Sequence, residues 1–420
     1  MKNVVGLVAH AGDAFVVLSA MSGTTNSLIS ISQSINDGEL ANARKLIDDL
    51  EHKYSQTAKE LLSDKDLQEA AANNLDTIFT SLRLYLTTPF GAKEEKEVVA
   101  FGEKLSTMLV DLYMKEKGLN SLLLDATEFM RLNSDGEPDE VYIKEHLGKI
   151  LKENPGKDIY LTQGFICRNA EGEIDNLQRG GSDYSASLIG AAINADEIQI
   201  WTDIDGMHNN DPRFVEGTSP VGELHFEEAA ELAYFGAKIL HPTCVLPAKH
   251  ANIPVRLLNT MEPDAPGTII YNTQPTHSIK AVAAKDNITA IKIKSSHMLL
   301  AYGFLRKVFE IFEKYQTPID MITTSEVGVS VTIDNTCRLE RIVAELSELG
   351  DVTVDSDMVI VCVVGDLEWQ NRGFEAEVVN ALKEIPVRMI SYGGSNYNIS
   401  LLIRKEDKIK ALQLLSSHLF

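Results

Sequence analysis

The sequence predicts an α/β protein: a mainly parallel sheet covered by helices on both faces in three layers, followed by a smaller α+β region. Three observations lead there. Short β-branched runs alternate with long helical patterns over the first part of the chain. A cluster of Pro263, Pro266, Gly267 and Pro275 marks a boundary between Met261 and Thr276. Beyond it the pattern changes to amphipathic helices and half-buried strands, arranged as an internal repeat.

Val4 to Ala9 and Ala14 to Ala20 flank a Gly-Asp turn, and the second run reads as a strand buried on both faces. Ser22-Gly-Thr-Thr-Asn26 follows as a turn. Residues 27 to 118 are rich in Ala, Leu, Glu and Lys and read as helices. Leu122 to Asp125, Ile159 to Gln163 and Glu197 to Thr202 resemble further buried strands. Past the boundary, Phe304, Val308, Ile311, Phe312 and Tyr315 make one apolar helix face, which Pro318 ends. Val327, Val329, Val331 and Ile333 then alternate as a strand. Pro318-Ile-Asp-Met-Ile-Thr matches Pro386-Val-Arg-Met-Ile-Ser, 68 residues on, and that offset sets Val329, Val331 and Ile333 on Tyr397, Ile399 and Leu401. Each unit reads strand, helix, strand, strand, helix. The first gains a fourth strand near Asp351 to Val354. The second runs out of chain, so Ser278 to Ala284 is expected to supply its fourth strand and cover the open edge.

The 420 residues suffice for two or three cores. A net charge of -22, from 39 basic and 61 acidic side chains, argues against nucleic-acid and anionic-membrane surfaces but not against a small anionic substrate. Cys167, Cys244, Cys337 and Cys362 lie far apart, so neither a disulfide framework nor a zinc site is expected, and a reducing cytosol fits. No apolar run reaches membrane-span length. The Val4 to Ala9 run is too short for a signal peptide and is broken by Gly6.

Chemistry concentrates in two stretches. Leu177-Gln-Arg-Gly-Gly-Ser-Asp183 stands directly before a helical run, and glycine turns at helix starts expose amides that hold anions. Ile198 to Gly206 is a strand ending in Thr202 and Asp203, where open α/β sheets bind ligands. Together they suggest an enzyme handling a carboxylate and a phosphate. Ser182 and Asp183 read equally as a helix N-cap.

Seven motifs in order resemble aspartate kinases, of the amino-acid-kinase fold followed by two ACT modules. They are Leu18-Ser-Ala-Met-Ser-Gly-Thr-Thr-Asn26, Phe101-Gly-Glu-Lys-Leu-Ser106, Thr162-Gln-Gly-Phe165, Arg179-Gly-Gly-Ser-Asp183, Trp201-Thr-Asp203, Asp211-Pro-Arg213 and Gly236-Ala-Lys-Ile-Leu-His-Pro242. Met298 to Leu305 and Asp320-Met-Ile-Thr-Thr-Ser-Glu326 resemble the single-function, lysine-sensitive type. The chain stops at Phe420, so no fused dehydrogenase domain is expected. The resemblance implies a catalytic domain over 1–275 and a regulatory region over 276–420. The latter holds ferredoxin-like ACT modules at about 286–356 and about 357–420, the second including strand 278–284.

The implied reaction moves the γ-phosphoryl group of ATP to the side-chain carboxylate of L-aspartate, opening the aspartate family of amino-acid biosynthesis. That carboxylate is already ionised at pH 7, so no general base is required, and positioning and positive charge must do the catalysis. Arg179 is expected to grip the substrate α-carboxylate, with Gly181, Ser182, Asp183, Phe165 and Thr25 around it and Glu103 on the α-ammonium. Arg179, Asp183 and Lys238 are the expected catalytic residues. Thr202, Asp203, His208, Arg213 and Lys238 are expected on the ATP side, His208 standing where many relatives carry tyrosine. His241 reads as structural. Mg²⁺ is expected on the ATP phosphates, with no protein ligand. Met298, Leu305, Asp320, Ser325 and Glu326 match effector-contact positions, and two carboxylates suit lysine's two ammonium groups. Pairing of ACT modules implies a homodimer or dimer of dimers, in the cytoplasm.

One departure stands out. Relatives open with a strand and turn reading Lys-Phe-Gly-Gly-Thr-Ser, which this chain lacks; its Met1-Lys-Asn-Val4 resembles the helix that follows that turn. About twenty residues are involved, a strand, its turn and a little more. A start assigned too far downstream, a shortened piece, or a natural form without catalysis would explain it. The last would make the chain a lysine-binding regulatory protein only. Retention of the downstream motifs favours the first. A kinase acting on glutamate derivatives is a further reading, disfavoured by the ACT pair and Phe101-Gly-Glu103.

Overall fold

The computed structural model describes residues 1–10, 12–177, 180–236, 240–274, 278–295 and 302–420. Two compact units emerge: Met1–Ile204 with Leu240–Ala265, and Asp205–Ile239 with Pro266–Phe420. Residues 205–239 group by compactness with the C-terminal part.

In the first unit, α1 (Lys2–His10) precedes β1 (Ala14–Leu18), and four helices follow: α2 (Thr24–Asn36), α3 (Leu40–Leu61), α4 (Lys65–Leu84) and α5 (Ala92–Glu116). Leu28, Ile31, Ile47, Tyr54, Phe79 and Leu105 recur at helical spacing and form their shared core. β2 (Ser121–Leu124), α6 (Glu140–Glu153), β3 (Ile159–Gln163), the hairpin β4 (Ile166–Arg168) and β5 (Ile174–Asn176), α7 (Gly181–Ile193) and β6 (Ile198–Thr202) come next. β1 and β2 both pair in parallel with the central β3, Leu18 facing Gln163 and Leu124 facing Thr162. All five residues of β1 are only half-buried, unlike the strand expected to be buried on both faces. Its place at the edge of the order β1-β3-β2 is the reason.

The second unit begins with β7 (Glu223–His225) and α8 (Phe226–Tyr234). The chain returns to the first unit as α9 (Leu246–Ala251) and β8 (Val255–Asn259), the latter parallel to β6. Back in the second unit, β9 (Thr268–Tyr271) pairs in parallel with β7. Then follow β10 (Ile279–Lys294), α10 (Phe304–Lys314), β11 (Ile322–Ser325), β12 (Gly328–Ile333), α11 (Leu339–Leu346), β13 (Asp351–Gly365), α12 (Phe374–Ala381), β14 (Met389–Ser391), β15 (Asn398–Arg404) and α13 (Lys408–Leu419). The order β11-β12-β10-β13-β15-β14 makes one continuous antiparallel sheet of the two repeats.

The two long strands serve both repeats. Residues 289–294 of β10 pair with β12, while 279–285 pair with residues 360–365 of β13, beside β15. The offset is 70 residues for most of the repeat. Gly303 and Gly373 are the left-handed caps of α10 and α12, and Asn287 and Asp357 share a positive φ at the bend of each long strand. Ile322 faces Val331 and Ile390 faces Leu401, so Val331 corresponds to Leu401, not to Ile399 as the 68-residue match suggested. That match holds only for the Pro318 and Pro386 segments; the second repeat is two residues shorter before its proline and two longer in its hairpin.

Residues 205–239 join this sheet through specific contacts. Val282 N–H donates to the Asn209 carbonyl at 2.8 Å, Asn210 Nδ2 to the Leu412 carbonyl at 3.1 Å, and His225 stacks on Tyr397 at 5.2 Å. Val215 is buried in the second repeat's core with Val282, Val361 and Leu412.

Candidate active site

The first unit's site forms where β1 and β3 end. Gly164 N–H donates to the Leu18 carbonyl at 2.9 Å, so the two strands finish side by side, the usual place for ligands in parallel sheets. Gly102 lets α5 press against the segment leaving β1; a Cβ there would stand 3.0 Å from Ala20 Cβ. Glu103 thereby reaches the strand end. It is 4% exposed, its Oε1 accepts from Ala20 N–H at 3.3 Å, and its Oε2 is buried with no partner among the described residues. Burial pushes its carboxyl up to about 7, with the Ala20 N–H offsetting only part of that. Ser106 ties the same helix to the Ser19 carbonyl at 2.8 Å, and Thr107 accepts from Gln163 Nε2 at 3.0 Å.

On the β3 side the chain turns sharply onto α7. Gly164 has no room for a side chain, since a Cβ would stand 2.3 Å from Ser182 Oγ and 2.7 Å from Ser182 Cα. Phe165 adopts φ 67, a strained region for a bulky residue, and is held there by Ser185 Oγ accepting its N–H at 2.9 Å. Gly180, at φ 76, caps α7 without a side chain, so Ser182 and Asp183 lie inside the first turn and neither is the N-cap. Asp183 N–H bonds the Gly180 carbonyl at 3.1 Å, and no side chain caps the amides of Gly181 and Ser182, the kind of helix start that suits an anion. Desolvation pushes the Asp183 carboxyl up to about 6. Gly180 also allows close approach of Cys244, whose Sγ a Cβ would meet at 2.3 Å. Glu103, Phe165, Gly181, Ser182 and Asp183 thus share one end of the sheet, while Arg179 and Lys238 lie outside the described residues.

Thr25 sits in the first turn of α2, which begins at Thr24 rather than after the expected turn; it is half-buried. Its neighbour Thr24 is fully buried and bonded to Tyr54 Oη at 2.9 Å. Thr202 closes a turn onto Ile204 N–H at 3.1 Å, and Asp203 is exposed with no helix behind it to cap. Both belong to the first unit. His208 and Arg213 belong to the second. His208 lies between Asp205 Oδ1, at 2.8 Å, and Thr218 Oγ1, at 3.1 Å. Arg213 is forked onto Asp211 at 2.9 and 2.6 Å, a short-range pair on an exposed loop. His241 caps the turn at Pro242–Val245 through Thr243, a structural task.

Among the described residues, the two effector carboxylates do not converge within one chain. Leu305, Ser325 and Glu326 are exposed, Asp320 is half-buried with its side chain 1% exposed, and Met298 lies outside the described residues. Asp320 and Glu326 stand at opposite ends of β11, roughly 15–20 Å apart at strand rise. A single lysine cannot bridge them in one chain. Asp320 instead bonds Lys285 Nζ at 2.6 Å and Tyr234 Oη at 2.9 Å. Neither partner was read from sequence; the only signal was a lone lysine ending the apolar run Ala281-Val-Ala-Ala284.

Among the described residues no group of three or more His, Cys, Asp or Glu is placed to hold a metal, and no helix is long and apolar enough to cross a membrane.

This architecture is that of a known class. Residues 1–259 match the model of the amino acid kinase family, and residues 361–419 match an ACT domain. Lysine-sensitive aspartokinase 3 of Escherichia coli is 32% identical over 99% of this chain and 94% of its own length. Aspartokinase 1, chloroplastic, of Arabidopsis thaliana is 32% identical over all of this chain and 77% of its own length. The crystal structure of E. coli aspartokinase III with aspartate and ADP, in the R-state, superposes with a TM-score of 0.86 at 32% identity, covering 100% of this chain and 96% of that one. The same enzyme with lysine and aspartate, in the T-state, gives 0.81 with the same identity and coverage. The chain belongs to the amino acid kinase family and, within it, to the aspartokinases: it is a phosphotransferase. With residues 1–259 matching the amino acid kinase family, the reading of the chain as a purely regulatory protein is not supported.

Proposed function

We propose that this aspartokinase transfers the γ-phosphoryl group of ATP to the side-chain carboxylate of L-aspartate, yielding 4-phospho-L-aspartate and ADP, and that lysine inhibits it. The observation that carries the substrate is Glu103, a buried carboxylate with an unpaired oxygen beside an uncapped helix start. An α-amino acid complements that pair: its ammonium satisfies Glu103, and its α-carboxylate meets the α7 amides and Arg179. The side-chain carboxylate is left to attack phosphorus. Its oxygen forms the new bond as the bond to the ADP oxygen breaks, and no proton moves.

Asp183, Phe165, Gly181, Ser182 and Thr25 shape the aspartate side; Thr202, Asp203, His208, Arg213 and Lys238 serve the nucleotide. Mg²⁺ would arrive on the nucleotide phosphates and would neutralise phosphate charge. Relatives solved with aspartate and ADP, and with lysine and aspartate, support these ligands. Lysine inhibits by binding an inactive arrangement more tightly, through the region of Met298, Leu305, Asp320, Ser325 and Glu326. Since Asp320 and Glu326 stand at opposite ends of β11, pairing of ACT modules in a homodimer or dimer of dimers completes the site. The compartment is the cytoplasm, and the domains divide at about 275, with ACT modules at about 286–356 and at about 357–420 plus 278–284.

ADP release tests the reading. Activity with aspartate, little with glutamate, and suppression by millimolar lysine are expected. Equal turnover of glutamate overturns the substrate, and indifference to lysine in activity and thermal stability overturns the effector.

A further inference from the structure

Asp320 is an unusual carboxylate. Its side chain is 1% exposed, yet both of its hydrogen bonds fall on Oδ1, from Lys285 Nζ and Tyr234 Oη. Oδ2 is buried and has no partner among the described residues. Leaving such an oxygen unsatisfied destabilises the fold. Lys285 has a second anchor, Asp334 Oδ2 at 2.9 Å, whose side chain is 41% exposed. The Lys285 ammonium also lies 4.4 Å from the centre of the Tyr234 ring. Two carboxylates thus share one ammonium, and Tyr234, neutral with its phenol pushed up to about 12, adds no charge.

The second repeat shows what this arrangement selects. The corresponding positions are Asp355, Arg388 and Arg404, with every sign reversed, and Arg388 Nε meets Asp355 at 3.0 Å. They line an open cavity of about 840 Å³ together with Lys405 and Glu406. A buried carboxylate with spare capacity for a cation exists only in the first repeat, among the described residues.

We propose that Asp320 holds one exchangeable ammonium: that of Lys285 in the free chain, and that of the amino-acid effector when it binds. Lys285 is then a tethered competitor. On exchange it stays on Asp334 and is never left unpaired, which keeps the swap from stranding a buried charge. The incoming ammonium has the free Oδ2 as its first contact. Because Tyr234 ends α8, the exchange changes one of the bonds that tie residues 205–236 to the regulatory sheet. Competition lowers the apparent effector affinity by the fraction of chains in which Asp320 is free, so Lys285 sets the effector threshold. This inference rests on the reading of the chain as lysine-regulated.

The test is calorimetric titration of the full chain with L-lysine, in wild type, Lys285→Gln, Lys285→Arg and, as control, Arg388→Met. Removing the competitor should tighten lysine binding by about tenfold or more. Arginine, whose fork spans Asp320 and Asp334, should weaken it. Arg388→Met should leave it unchanged. If wild type binds lysine and Lys285→Gln binds it equally or more weakly, the exchange is wrong while lysine regulation stands. An equal gain in Arg388→Met also overturns it, by showing a general charge effect. If neither wild type nor Lys285→Gln binds lysine, lysine regulation itself falls. Should Lys285→Gln fold poorly, the charge-conserving arginine variant decides, and unchanged affinity there overturns the proposal.

Discussion

Glu103 and Asp320 are both carboxylates withdrawn from water, one in each compact unit, and they are treated in opposite ways. Among the described residues Glu103 accepts only an amide N–H, at 3.3 Å, and burial pushes its carboxyl up to about 7. Asp320 has an ammonium of its own chain at 2.6 Å. Burial raises the Asp320 carboxyl above its ordinary range, with the Lys285 ammonium pulling the other way. On the proposed reading the first site takes its cation from a ligand, whereas the second is already served and would exchange. An unpaired buried carboxylate stores binding energy for substrate at the expense of fold stability, whereas a paired one supports the fold and sets a threshold for its ligand.

The sharpest way to break this comparison is to neutralise each group. Glu103→Gln should lower kcat/KM for aspartate on the order of a hundred- to thousandfold, because the substrate ammonium loses its buried partner. The same variant should be more stable than wild type at pH 8. The raised carboxyl means that the folded chain holds a proton the unfolded chain has released. Stability is therefore lost as pH climbs from the ordinary 4.5 through about 7, and glutamine escapes that loss. A gain in Tm at pH 8 that shrinks by pH 5 is expected; a drop at pH 8 would show Glu103 to be structural.

Asp320→Ala should do the reverse. It strands the mostly buried Lys285 with one remaining partner, and urea denaturation should show a loss of about 2–3 kcal/mol. Unchanged stability would mean that the ammonium is not truly held there. A smaller effect concerns pH in wild type. Substrate binding needs Glu103 ionised, so kcat/KM for aspartate should rise about tenfold from pH 6 to pH 8. A flat profile would place the Glu103 carboxyl in the ordinary range. The least effect is expected from Arg388→Met, under about 1 kcal/mol, since that pair is open to solvent on both sides. A larger loss would make the two repeats energetically alike.

Local pattern carried much of this protein. The runs at Ile159 to Gln163 and Glu197 to Thr202 are strands because β-branched and aromatic residues pack well on a sheet, and β3 and β6 appear there within a residue. The apolar spacing from Phe304 to Phe312 fits only a helix. Motif order singled out Glu103 and Asp183 as site candidates even where geometry was unknown, and the structure sets both at one end of the first unit's sheet. The sequence alone also implied a doubled regulatory unit, through Pro318 and Pro386. What it could not show depends on distance through space. Lys285, Asp320, Asp334 and Tyr234 come from four separate segments, and no spacing rule connects them. The 70-residue offset, the sharing of β10 and β13 between repeats, and the grouping of 205–239 with the sheet were settled by strand register and packing. Periodicity records which face of an element is apolar; only tertiary structure decides which partner that face, or a charge buried beside it, will meet.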